Sequence, residues 1–198
     1  MTPFAVSYDY RCPFAKNIHL HVIAGLRAGA AWDVTFVPWT LNQVHREEGA
    51  PDVWDDPAMD DSLVALAAGV SVHDQQPDLF LDAHEALFRA RHEQSIRLHS
   101  MDEIVAVLAP LGVDTRAVAD DVASRRPHKV IAESYREFEA YEAFGVPTFV
   151  VEDDAVFVRY MTTPSSDPAA SIPIIDRIVA MVARDKDLNE FKHTQIES

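Results

Sequence analysis

The first forty residues set the tightest limit on the fold. Phe4 to Tyr8 is a short, β-rich apolar run, and Pro13 to about Ala28 carries Ile18, Val22, Ile23 and Leu26 on one helical face. Val34 to Trp39 is β-rich again, beginning after Asp33 and interrupted by Pro38. A strand, a crossover helix and a second strand imply parallel pairing with a right-handed connection. Pro13 suits the first helical position, where a missing N–H costs nothing. Cys12 therefore stands at the junction of the first strand and the first helix.

Beyond Trp39 the pattern changes. Residues 42 to 58 read as loop, with Gly49, Pro51, Asp52, Asp55, Asp56 and Pro57 in quick succession. Short helices follow over Asp60 to Ala68 and Asp78 to about His92. Ser100 and Glu103 form a capping box for a helix holding Ile104, Val105 and Leu108, and Gly112 closes it. Asp114 caps a further helix over Thr115 to Ala123. A longer amphipathic helix is expected from Pro127 to about Phe144, ending at Gly145. Thr148 to Val151 and Val156 to Tyr160 are expected as a hairpin, and a final helix after Pro173 spaces Ile174, Ile175, Ile178, Val179 and Val182. In order, the chain is β-α-β, a helical block, α, β-β, α.

Charge and length remove several functions. The 17 basic and 32 acidic residues give a net charge of −15, which repels nucleic acid and anionic membranes. No apolar run is long enough to span a bilayer. Met1-Thr2-Pro3 leads directly into an apolar segment without the basic stretch and cleavage site of a signal peptide, so a cytoplasmic location is expected. His84 and His92 lie too far apart along one helix to share a metal, and no metal site is expected.

Cys12 is the sole cysteine, so no disulfide can form within the chain. Thiolate, not thiol, is the nucleophile, and a helix N-terminus lowers a thiol pKa through unpaired N–H groups and the helix dipole. Arg11 and Lys16 would add positive charge, whereas an ionised Asp9 would oppose it. The plain alternative is that Cys12 is a small hydrophobe in a turn. His19 and His21 are too far along the helix to act as a base and read as packing or solvated side chains. Trp39 and Asn42 follow the second strand on the same sheet edge as Cys12; cofactor contact competes there with a core tryptophan and a turn asparagine. Phe80, Phe88 and Phe144 are expected to fill the join between the helical block and the sheet.

Two motifs resemble the thioredoxin superfamily, and within it the DsbA-like proteins. They are Asp9-Tyr10-Arg11-Cys12-Pro13-Phe14-Ala15 at the first strand-to-helix turn and Gly145-Val146-Pro147-Thr148-Phe149 before the hairpin. The resemblance implies an α/β thioredoxin fold with an inserted all-helical subdomain: residues 1–45 and 124–198 as the thioredoxin-like domain, residues 46–123 as the insertion. It also implies a cis Val146-Pro147 bond beside Cys12, with Thr148 beneath the same cleft. Leu188-Asn189-Glu190-Phe191-Lys192-His193-Thr194 is similar to the tail of mycothiol-dependent DsbA-like reductases. The departure is Ala15, which stands where the family's Cys-x-x-Cys has its second, resolving cysteine.

The expected function is therefore that of a monothiol oxidoreductase. Cys12 is the nucleophile, and Pro13, Phe14, Ala15, Val146, Pro147 and Thr148 form the cosubstrate site. No cofactor is tightly bound; mycothiol or glutathione resolves the mixed disulfide, and the substrate is a small electrophile or disulfide. The resemblance also admits a homodimer. Two alternatives stay open: an enzyme like kappa-class glutathione transferases or chromene-carboxylate isomerases, holding a bound thiol, and a non-catalytic binding module.

Overall fold

The computed structural model describes residues 1–193. Strand β1 (Thr2–Tyr8) leads through a tight turn into helix α1 (Pro13–Arg27), and strand β2 (Trp32–Pro38) returns parallel to β1, with Thr2 opposite Trp32 and Tyr8 opposite Pro38. Pro38 is tolerated because β2 is an edge strand, and pairing continues past it through Trp39 N–H to Tyr8 O at 2.9 Å. Strands β3 (Thr148–Val151) and β4 (Asp154–Phe157) complete a sheet of order β2-β1-β3-β4, with β3 antiparallel to both neighbours.

Alternation along the strands creates two cores. Phe4, Val6, Phe149 and Val151 face α1 and the last helix, α8 (Ile172–Arg184), which contributes Ile175, Val179 and Val182. Val37, Trp39 and Val150 belong to the second core with the inserted helices. Those helices are α2 (Leu41–Val44), α3 (Asp60–Gln75), α4 (Pro77–His92), α5 (Met101–Leu108) and α6 (Thr115–Ala123), followed by α7 (Arg126–Glu139). This is a thioredoxin fold with a helical insertion. No described helix is long and apolar enough to cross a membrane.

Several boundaries differ from expectation. Helix α3 runs on to Gln75, beyond Ala68, burying Val70 and Val72, and it passes through Gly69, where a Cβ would lie 2.5 Å from Tyr10 Oη. Helix α7 stops at Glu139, short of Phe144, and the chain turns through Glu142 in the left-handed region (φ 52°). Strand β4 begins at Asp154, not Val156, because Glu152 (φ 55°) and Asp153 alone make the turn. The start of the stretch 42 to 58 expected as loop instead joins Leu41 in one helical turn, Leu41–Val44, capped by Thr40. Phe80 and Phe88 do fill the join between insert and sheet, but Phe144 is 67% exposed and packs against the Phe157 ring outside that join.

Candidate active site around Cys12

The turn after β1 is fixed by its own polar groups. Cys12 N–H donates to Asp9 O at 3.0 Å, and the buried Asp9 carboxylate accepts from Arg11 N–H at 2.9 Å. These bonds hold Cys12 in extended geometry (φ −91°, ψ 119°) as the cap residue of α1, with Pro13 opening the helix. Across the gap, the Val146–Pro147 peptide is cis, and the Cys12 thiol donates to Val146 O at 3.2 Å. The structure therefore brings Cys12, Pro13, Phe14, Ala15, Val146 and Pro147 to one place.

Thr148 has a different position from an open cleft residue. Its N–H donates to Ser7 Oγ and its hydroxyl to Gly145 O, both at 2.8 Å. Both polar groups are thus used to pin the proline loop to β1, and Thr148 holds the site from below. Ala15 is fully buried in the core, so no group approaches the sulfur from the position of a resolving cysteine.

The electrostatics oppose the simple helix-terminus expectation. Burial pushes the Cys12 thiol up from its ordinary range; Ala15 and Phe14 N–H groups favour the thiolate, and the Asp9 charge adds to the upward push. Burial also raises the Asp9 pKa, against hydrogen bonds from Arg11 and Thr40. Lys16 does not stand free to help the sulfur, because it pairs with Glu93 at 3.7 Å.

The other sequence candidates fall outside this site. Trp39 is buried and stacks on Tyr135, with ring centroids 5.3 Å apart. Asn42 donates to Ser62 Oγ at 2.9 Å and ties α2 to α3. His21 bonds Ser171 Oγ at 2.9 Å and Thr162 O at 3.2 Å, and His92 bonds Tyr10 O at 2.9 Å. His19 and His84 form one buried chain: Tyr10 Oη to His84 Nδ1 at 2.7 Å, His84 Nε2 to His19 Nδ1 at 2.9 Å, His19 Nε2 to Ser7 O at 3.1 Å. A carbonyl only accepts, so His19 Nε2 carries a proton; His84 Nε2 must then donate, and Tyr10 donates to His84. Among the described residues, no group of three or more metal-ligating side chains could hold an ion. Of the tail similar to mycothiol-dependent reductases, Thr194 lies outside the described residues, and Leu188 to His193 are exposed and outside any helix or strand.

One residue near the site has no signal in the local sequence. Arg159, just past β4, holds its guanidinium 5.5 Å from the centre of the Phe14 ring. Only the tertiary fold brings these two residues together.

A cysteine capping α1 opposite a cis-proline, on a sheet of this order, defines a thioredoxin-fold protein. The DSBA-like thioredoxin domain family matches residues 5–167, and the chain belongs to that family. Among solved structures it is similar to MdbA, a thiol-disulfide oxidoreductase from Actinomyces oris (TM-score 0.61, 19% identity, covering 90% of this chain and 78% of that one). It is also similar to the oxidoreductase NmDsbA1 from N. meningitidis (TM-score 0.59, 13% identity, 93% and 85% covered). DsbA of Pseudomonas aeruginosa gives a TM-score of 0.58 at 18% identity, with 93% and 85% covered. At these identities the likeness establishes the fold. No curated protein matches the chain.

Proposed function

We propose that this chain is a thiol–disulfide oxidoreductase that works through Cys12 alone and borrows its resolving thiol from a small molecule, mycothiol or glutathione. The observation that carries the reading is the half-buried Cys12 sulfur facing Val146 O of the cis-proline loop, with a buried Ala15 in place of a second thiol. The substrate is a mixed disulfide R–S–S–G, where G–SH is the small thiol. Cys12 thiolate attacks the G sulfur, forms Cys12–S–S–G and releases R–S⁻, which takes a proton from solvent. A second G–S⁻ attacks the G sulfur of that adduct, forms G–S–S–G and returns the Cys12 thiolate. The sum is R–S–S–G + G–SH → R–SH + G–S–S–G, with no cofactor held between turnovers.

Burial of the sulfur makes its ionisation the demanding step, so turnover rises as pH climbs above neutrality. Phe14 and Ala15 N–H groups stabilise the attacking and leaving thiolate. The test is mass spectrometry after incubation with oxidised glutathione and with mycothiol disulfide. The expected result is one adduct on Cys12, released by the matching free thiol; no adduct with either disulfide refutes the reading. Ala15→Cys places a resolving thiol one helical turn from Cys12 and should release G–SH from the Cys12 adduct in a single turnover without added small thiol. It leaves a disulfide between Cys12 and the introduced thiol that needs a reductant before the next turnover.

One observation favours a second reading, in which Cys12 stays protonated and donates to the sulfur of a bound thiolate, as the raised pKa and the thiol's donation to Val146 O allow. Cys12→Ser separates the two: a bound-thiolate enzyme retains appreciable activity, and a covalent one loses nearly all of it.

A further inference from the structure

We infer that Arg159 selects for negative charge on the molecule that reaches Cys12, so that the small thiol or disulfide used here is a carboxylate-bearing one. The inference rests on the reading of Cys12 as the reacting sulfur and names the class of partner for that same site.

The placement of Arg159 is built, not incidental. Val158 N–H donates to Pro147 O at 3.0 Å, which ties the residue before Arg159 to the cis-proline loop. Asn17 Nδ2 donates to Tyr160 O at 3.0 Å, which ties the residue after it to α1. His21 adds a bond to Thr162 O at 3.2 Å and packs edge-on against the Tyr160 ring, with centroids 4.9 Å apart. Arg159 thus sits on a short strap between the two halves of the site, one residue from an anchor on each side. Its guanidinium lies over Phe14, whose own N–H faces the Cys12 sulfur.

The charge of Arg159 is unspent. Among the described residues it takes part in no ion pair, although the chain has 32 acidic residues against 17 basic ones. A planar cation stacked on an aromatic ring keeps its edge N–H groups free for a carboxylate, which a guanidinium can hold with two parallel bonds. Arg11, next to Cys12 and exposed, is likewise without an ion pair among the described residues. Lys16 is the exception on this rim, being held by Glu93. A protein that repels anions overall therefore carries, among the described residues, two arginines without ion-pair partners on the residues around its sulfur, against one carboxylate, Asp9, that acts on the sulfur itself. Glutathione, with two carboxylates and one ammonium group, fits this rim; mycothiol, whose sugar and cyclitol carry no charge, gains nothing from it.

Alkylation of Cys12 tests the inference without requiring turnover. Iodoacetate and iodoacetamide both form an S–C bond on Cys12 and expel iodide, and differ in the charge of the incoming reagent. Arg159→Gln is expected to lower the iodoacetate-to-iodoacetamide rate ratio about three- to fivefold at low salt, and Arg159→Lys to restore most of it. Raising the salt concentration should lower the wild-type ratio and leave that of Arg159→Gln nearly unchanged. An unchanged ratio in Arg159→Gln, or an equal fall in both rates, overturns the inference. Turnover by added glutathione of the mixed disulfide between glutathione and the uncharged 2-mercaptoethanol then separates the two readings. No release of 2-mercaptoethanol above the uncatalysed rate, alongside a changed alkylation ratio, counts against the oxidoreductase reading and leaves charge selection standing.

Discussion

Strand β1 supports two polar junctions of opposite design. On the side of the inserted helices, Tyr10, His84 and His19 pass hydrogen bonds in one direction to Ser7 O, and each ring nitrogen has a partner. At the end of the strand, the Cys12 thiol donates to a single acceptor, Val146 O, and the residue is only half buried. The first junction joins α4 of the insert to α1 of the sheet domain and leaves nothing for a ligand. The second joins α1 to the proline loop and leaves a polarisable sulfur on the surface of the cleft. Saturated polar groups in a core give a unique, rigid arrangement; an under-partnered group at a rigid junction is where chemistry can be done.

The largest expected effects test that division directly. Cys12→Ser should lower turnover of mixed disulfides on the order of a thousandfold or more, with a stability change under about 1 kcal/mol. His84→Ala should do the reverse. It empties a fully buried site and strands Tyr10 Oη and His19 Nδ1, costing about 3–5 kcal/mol in denaturant unfolding, while the molecules that stay folded react normally at Cys12. Loss of Cys12 reactivity in a folded His84→Ala variant would break the comparison, because the two junctions would then be coupled.

Acid titration is the next largest. Burial depresses the His19 pKa from 6.5 to about 4 and holds His84 well below its ordinary value. The unfolded chain takes up these protons first, so neither histidine affects stability above pH 6.5. The penalty grows as pH falls below that value, by about 1.4 kcal/mol per pH unit for each histidine, and for His19 it stops growing near pH 4. Unfolding free energies measured between pH 7 and 4 should show this slope in the wild type and a shallower one in His19→Gln. Equal slopes would mean that the pair is not held neutral by the fold.

A smaller effect is expected from Gly69→Ala, where the new methyl would crowd Tyr10 Oη at 2.5 Å and displace the start of the histidine chain; calorimetry should find a loss of about 1–3 kcal/mol. The smallest concerns the sulfur. Asp9→Asn removes a charge that disfavours the Cys12 thiolate but retains an oxygen to accept from Arg11 N–H. The thiol should titrate at lower pH, and alkylation by iodoacetamide at neutral pH should be faster than in the wild type. A slower reaction would assign Asp9 a role as proton acceptor instead.

Much of the frame was legible in the chain because its signals are local. Pro13 and Cys12 mark the start of α1, Ser100 caps α5 by accepting from Glu103 N–H, Asp114 caps α6, and the apolar spacing of α8 matches its buried face. The boundaries that shifted did so for tertiary or conformational reasons. Gly69, a weak helix residue by propensity, sits mid-helix because Tyr10 takes the space of its side chain. Phe144 reads as a core residue by its hydrophobicity, yet α7 ends before it and leaves it exposed.

By itself, the sequence determined that Cys12 has no second cysteine in its chain and that it stands at the start of a helix; the family resemblance, and no local pattern, pointed to Val146-Pro147 as the segment beside it. Composition and local stereochemistry suffice for the first two, since a residue is present or absent and a proline fits the first turn wherever it occurs. Only the tertiary structure decided the balance of forces at the sulfur and the neighbours that set it. Burial, the Asp9 charge, the loss of Lys16 to Glu93 and the strap that carries Arg159 to Phe14 all depend on groups brought together from distant parts of the chain. Desolvation and Coulomb interaction depend on separation in space, which no local pattern encodes.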